Sequence, residues 1–272
     1  ELVKISSDGN LGLEEGQKFE RGGIYRFTVD VTKGNTKAVL TVEKVGKVDL
    51  PAPDIFFGND KMEVTDTDIY KSDQAFTQGQ MITVTGIDNL NEWWIDPDFF
   101  EKQSDGALKF LPINGDYRVT ANAVLKYFSV MALKDGKPAK LQDDGTGAIW
   151  AIGKGIGKPS VTSSEVGWEP SKALCLAQVA SKKYQLTLKA GETLKTSGDP
   201  EVISFKFFHQ NDWGGEFGNY ASSILVEQLK LADSGNLEMQ DNKAFEEGAV
   251  YRFIIDVTNG NANADLKVEK IN

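Results

Sequence analysis

The chain has 272 residues, a formal net charge of -10, 27 Gly, 8 Pro and a single Cys, enough for two to three small domains. The acidity reads as solubility and argues against nucleic acid, whose phosphates call for a basic face. No apolar run reaches the roughly 18 residues of a membrane-crossing helix, and no charged and apolar leader pattern opens the sequence at Glu1.

In chain order, Leu2 to Ile5 is strand-like, and residues 9–46 then predict a hairpin. Tyr25, Phe27, Val29 and Val31 share one face, Arg26, Thr28 and Asp30 the other, the period of a half-buried strand. Thr32 to Asn35 turns the chain, since Gly and Asn tolerate positive φ, and Ala38, Leu40 and Val42 restart the alternation. Residues 235–272 repeat this stretch without a gap, with about half of the positions identical. A lone hairpin cannot bury its apolar face, so each copy is expected to complete a larger sheet assembly.

Val48 to Pro53 carries two prolines in three residues and marks a boundary. Beyond it, Met81 to Gly86, Ala107 to Leu111, Tyr117 to Ala121 and Leu125 to Met131 predict strands. Asn91 to Phe100 is aromatic without a strand period and predicts a packed loop or short helical turn. Asn114-Gly115-Asp116 leads into Tyr117 much as glycines lead into Tyr25 and Tyr251, as three related sandwich-like units with the first incomplete would do. Asp135 to Asp144 reads as a second linker. Ala148 to Ile152, Tyr184 to Lys189, Ile203 to Phe208 and Leu225 to Leu231 predict further strands, and Pro170 to Val179 holds at most a helical turn or two. The class is all-β.

The run Phe205-Lys206-Phe207-Phe208-His209-Gln210-Asn211-Asp212-Trp213-Gly214-Gly215-Glu216-Phe217-Gly218, followed by Gly235-Asn236-Leu237 and by Gly248-Ala249-Val250-Tyr251, resembles the SusE/SusF-type surface glycan-binding lipoproteins of gut bacteria. Ile149 to Gly153 looks like the first strand of such a module, and Gly167 to Tyr184 like its second strand region. The resemblance implies tandem immunoglobulin-like β-sandwich modules: the C-terminal half of a module at 1–47, a middle sandwich at 48–136 and a whole module at 137–272. It also implies an outer-membrane, cell-surface protein with a lipid anchor expected upstream of this chain. The expected partners are a polysaccharide or oligosaccharide and outer-membrane glycan-uptake proteins, with non-catalytic binding and no cofactor.

A pyranose ring packs its C–H face on an indole and needs donors and acceptors at its rim, so the expected glycan-binding residues are tryptophans. Trp168, between Gly167 and Pro170, is the first candidate. Trp93 and Trp94 stand among Asn91, Glu92, Asp96 and Asp98, and neighbours in an extended strand face opposite ways, which puts one in the core and one outward. Trp213 lies in a turn composition that suits presentation to solvent, although the resemblance implies an architectural tryptophan closing the sandwich edge. Trp150 reads as core, and Cys175, without a partner, as a buried inert thiol.

His209, the only histidine, lacks the companions that a metal site or triad requires. No motif flags a catalytic carboxylate pair, which leaves a glycoside hydrolase as one rival reading and an immunoglobulin-like spacer with all tryptophans buried as another. Asp66-Thr67-Asp68 and Asp143-Asp144-Gly145 do not meet the calcium-loop pattern. Gly153 to Ser160 is one residue short of a P-loop and has Pro159 where a hydroxyl is needed. It reads as a flexible loop lining a ligand surface.

Overall fold

The computed structural model describes residues 2–5, 10–14, 17, 19–196 and 202–272. Gly9, Glu15, Gly16 and Lys18 of the first repeat copy lie outside them. The described residues are all-β, with helical structure confined to single turns such as Val161–Ser164 and Pro170–Lys172. The chain divides into two compact units, Glu1–Pro53 and Asp54–Asn272.

In the first unit Val3–Ile5 pairs antiparallel with Leu11–Leu13, and Gly23–Asp30 with Val39–Lys47. The repeat is reproduced strand for strand at the other end of the chain. Val3 faces Leu13 and Ile5 faces Leu11, as Leu229 faces Met239 and Leu231 faces Leu237. Phe27 faces Val42 and Val29 faces Leu40, as Phe253 faces Val268 and Ile255 faces Leu266. Gly34 and Gly260 turn the two hairpins with φ of 92° and 94°, a region open to glycine at no steric cost.

The surroundings of the two copies differ. Val250–Asp256 is paired along its outer edge by Lys183–Lys189, Leu237–Met239 by Ser204–Phe208, and Asp265–Lys270 in parallel by Ser222–Ile224. Phe253 is therefore 0% exposed. Among the described residues the first copy forms only two two-stranded sheets, and Phe27 and Val29 are 49% and 61% exposed.

The second unit begins with a five-stranded sheet in the order Lys137–Pro138, Tyr127–Lys134, Gly115–Asn122, Ile69–Phe76, Glu63–Asp66. Alternation buries Tyr117, Val119 and Ala121 of its central strand. Phe57, from outside this sheet, packs on its Phe76 and Phe128 and on Phe100, with ring centroids 5.2 to 6.1 Å away. The 135–144 stretch is no loose tether. Ala139 and Leu141 are buried, the Ala139 carbonyl accepts from Trp150 Nε1 at 3.0 Å, and Leu141 N–H donates to the His209 carbonyl at 2.8 Å.

The remaining chain forms two further sheets. One runs Glu165–Gly167, Trp150–Gly157, Ser204–Phe208, Leu237–Met239, Leu229–Leu231, and the other Ala177–Ala180, Lys183–Lys189, Val250–Asp256, Asp265–Lys270, Ser222–Ile224. Their inner faces meet where Phe205 and Phe207 approach Phe253, with centroids 5.5 and 6.4 Å away. Burying these rings stabilises the packing of the two sheets, at roughly 25 cal/mol per Å² of apolar surface.

The Gly153 to Ser160 stretch is not the flexible loop expected. Trp150–Gly157 is one strand, pairing with Ser204–Phe208 on one side and Glu165–Gly167 on the other. Its glycines serve close approach: a Cβ on Gly153 would lie 2.3 Å from Phe205 Cα, and one on Gly157 2.3 Å from the Ser164 carbonyl oxygen. Gly157→Ala is expected to cost about 1–3 kcal/mol by overpacking, read as a lower urea midpoint with an unchanged slope.

Candidate functional site

The two tryptophans at 168 and 213 come together on the sheet that contains Trp150–Gly157. Trp168 follows the edge strand Glu165–Gly167, where Gly167 turns at φ 58°. Trp213 is carried by the turn after Ser204–Phe208. That turn is closed by His209 N–H donating to the Gly215 carbonyl at 2.7 Å, and by Gln210 Nε2 donating to the Trp213 carbonyl at 2.6 Å. The Asp212 carboxylate accepts from the Trp213 N–H at 2.7 Å. Gly214 and Gly215 have φ of 84° and 66°, so the reversal depends on glycine at both positions.

The indoles lie 6.3 Å apart with planes 27° from parallel, and the Phe208 ring meets Trp213 edge-on at 6.0 Å. Trp213 is 51% exposed, which corrects the expectation that it closes the sandwich edge as a core residue. Trp168 is half-buried and packs on the core. Together they form a shelf anchored at one end and open at the other. Beside it, Lys154, Glu165, Glu169, Lys172 and Lys195 line a groove with Gly167. Two ion pairs organise these charges, Lys195 with Glu165 at 2.9 Å and Lys172 with Glu169 at 3.0 Å. Burial raises the Glu165 carboxyl, but the Gly155 N–H and the Lys195 ammonium outweigh it and hold the group below the ordinary carboxylate range.

Trp93 and Trp94 divide as alternation requires. Trp93 is 7% exposed and stacks on Phe128 at 4.6 Å, so it presents no platform to a glycan. Trp94 is half-buried. Its backbone N–H donates to the Lys126 carbonyl at 2.8 Å, its indole N–H to Glu192 at 2.8 Å, and Lys158 Nζ lies 5.9 Å from the ring centre. It lines a cavity of about 560 Å³. Trp150 is buried core. Cys175 is buried too, and burial pushes its thiol up to about 12. His209 is half-buried with the Phe217 ring edge-on at 4.3 Å, and burial lowers its pKa.

Beneath Trp94 lies a charge cluster that sequence reasoning missed. Lys158 Nζ donates to both Asp96 oxygens at 2.8 and 2.7 Å and to Asp98 at 3.0 Å, and all three residues are buried. Asp98 also accepts from the Thr187 N–H and hydroxyl at 2.6 Å each, and from Gln185 Nε2 at 2.8 Å. The only local signal was Asp-Pro-Asp at 96–98. Its partners stand some 60 to 90 positions further on, beyond the reach of any spacing rule. Among the described residues no group of three or more His, Cys, Asp or Glu is placed to hold a metal, and no helix is long and apolar enough to cross a membrane.

Residues 1–32 and 144–258 match the family model described as "Domain of unknown function (DUF5121)", and residues 48–141 match "Domain of unknown function (DUF5125)". The two DUF5121 stretches end at Thr32 and Thr258, equivalent positions of the repeat. No curated protein matches the sequence. Among solved structures the chain matches SusF from Bacteroides thetaiotaomicron at 15% identity and a TM-score of 0.30, covering 99% of this chain and 65% of that one. The chain spans 65% of that protein's length.

Proposed function

The chain belongs to the family described as Domain of unknown function (DUF5121), and we propose that it is a non-catalytic cell-surface polysaccharide-binding protein. The observation that carries this reading is the Trp168–Trp213 shelf: two nearly parallel indoles, one half open to solvent. Stacked C–H faces of successive sugars suit such a surface, and the lysines and carboxylates of the adjacent groove supply donors and acceptors for hydroxyls. A spacer made of sealed modules has no use for an exposed indole on an aromatic shelf.

The module reading is part of the proposal. Residues 137–272 form an immunoglobulin-like sandwich, 48–136 a middle sandwich, and 1–47 the C-terminal half of a further module. Its support is the shared register of the two repeat copies and the common end point of the two DUF5121 matches. An outer-membrane location, a lipid anchor ahead of this chain and glycan-uptake proteins as partners follow from the sequence resemblance. A shelf of this kind binds weakly, and several modules on one chain raise avidity.

The test is affinity electrophoresis through gels containing a panel of soluble polysaccharides. At least one polysaccharide is expected to retard the protein, and Trp213→Ala and Trp168→Ala are each expected to weaken that retention about tenfold, equivalent to ~1.4 kcal/mol. Retention that survives the double substitution in a folded protein rules out the shelf.

A further inference from the structure

The cavity beneath Trp94 contains neither tryptophan of the shelf, although it shares Glu165 and Lys172 with the groove beside it, and it has a different shape and chemistry. One wall is the Tyr127–Lys134 strand with the turn before it, and the other is the Val161–Ser164 turn and the segment 171–175. Its floor is Trp150 and Cys175, both buried. At about 560 Å³ it falls in the size range of small-ligand sites. A recess with a closed floor takes a chain end or a short branch, whereas an open shelf takes the middle of a chain.

The lining has two components. Trp94, Tyr127 and Leu174 offer apolar faces, and Ser129, Thr162, Ser163 and Ser164 offer hydroxyls. Ser163 Oγ lies 2.9 Å from Ser160 Oγ and 3.3 Å from Ser164 Oγ, a run of rotatable groups that can each donate or accept. The charged residues of the lining are already neutralised: Lys158 by Asp96 and Asp98, Glu165 by Lys195, and Lys172 by Glu169. Among the described residues of the lining an anion finds no unpaired cation, and a purely apolar ligand strands the hydroxyls.

We propose that this cavity is a second binding site, specific for the end of an uncharged glycan. The proposal rests on the reading of this protein as a glycan binder, but on none of the residues of the shelf. The two sites then divide the work, the shelf holding chain interiors and the cavity holding ends. Occupancy of the cavity should follow the concentration of chain ends rather than the mass of polysaccharide.

Calorimetric titration with cellotriose, maltotriose, mannotriose and xylotriose, and with trigalacturonic acid as the charged control, tests this on the full chain. One or more of the neutral trisaccharides is expected to bind, and trigalacturonic acid is not. The Trp168→Ala/Trp213→Ala variant should keep that affinity. Ser163→Trp and, independently, Thr162→Trp place bulk in the mouth from exposed positions and should weaken it at least about tenfold, with unchanged urea midpoints showing both to be folded. Trisaccharide binding that survives both filled variants overturns the proposal, as does failure of every neutral trisaccharide to bind. If the filled variants lose the trisaccharide while the double tryptophan variant still retains polysaccharide, the shelf fails and the cavity stands.

Discussion

Replacing Lys158 by methionine is expected to destabilise residues 54–272 by about 3–5 kcal/mol, the cost of leaving buried carboxylates without their counter-ion. The ammonium is buried and bonds to three carboxylate oxygens at 3.0 Å or less. Without it, Asp96 and Asp98 lie close together with almost none of either residue exposed to solvent. The triple variant Lys158→Met/Asp96→Asn/Asp98→Asn should recover most of the loss, since it removes the charges together. Urea midpoints of the single and triple variants make the comparison. Equal midpoints for Lys158→Met and the native protein would show the cluster to be energetically idle.

The same cluster sets a pH dependence whose sign can be worked out. Burial raises the Asp98 carboxyl, but the Lys158 charge and the bonds from Thr187 and Gln185 outweigh it and hold the group below the usual range. A carboxyl held low contributes stability above its unfolded value of about 3.9 and loses it as pH falls through the lower folded value. Asp96 goes the other way, raised by burial and, less strongly, by the Asp98 charge, so it takes up a proton earlier in the folded protein and offsets part of the acid loss. Lys158 is opposed by burial yet raised by its two carboxylates. Its contribution is complete below about pH 10.4 and is lost as pH climbs through the raised value. The gap between native and Lys158→Met midpoints should therefore narrow as pH falls, because the carboxyls left unpaired in the variant take up protons, and narrow again as pH climbs through the raised Lys158 value.

The second large effect separates the two copies of the repeat. Backbone amides of Val250–Asp256 are expected to exchange with deuterium at least about 10⁴-fold more slowly than those of Gly23–Asp30. The two strands have the same register and nearly the same residues, so local propensity cannot separate them. The later strand lies inside a five-stranded sheet, and its amides open only through unfolding that costs a large share of the roughly 5–15 kcal/mol typical of a domain. The earlier strand belongs to a two-stranded hairpin, which is at best marginally stable in water. Hydrogen exchange followed by mass spectrometry resolves the pair within one sample. Equal protection means that the apolar face of Phe27 and Val29 is covered in solution, and a sedimentation run shows whether a second copy covers it.

Local chemistry alone makes much of this protein legible in its sequence. Alternation with a period of two identified the strands around Tyr25, Tyr117, Tyr184 and Tyr251, because side-chain direction along a strand is a property of neighbouring residues. Repetition announced the paired hairpins, and the same alternation separated Trp93 from Trp94. What the sequence could not disclose depends on residues distant along the chain. Gly153 and Gly157 read as a flexible loop because the atoms that demand glycine belong to Phe205 and Ser164, which other segments bring within 2.3 Å of a would-be Cβ. Trp213 is exposed because a glycine turn swings it over Trp168 instead of into the core. Lys158, Asp96 and Asp98 are unremarkable surface residues by composition, and only tertiary packing buries them together and makes a charge cluster that must be paired to exist.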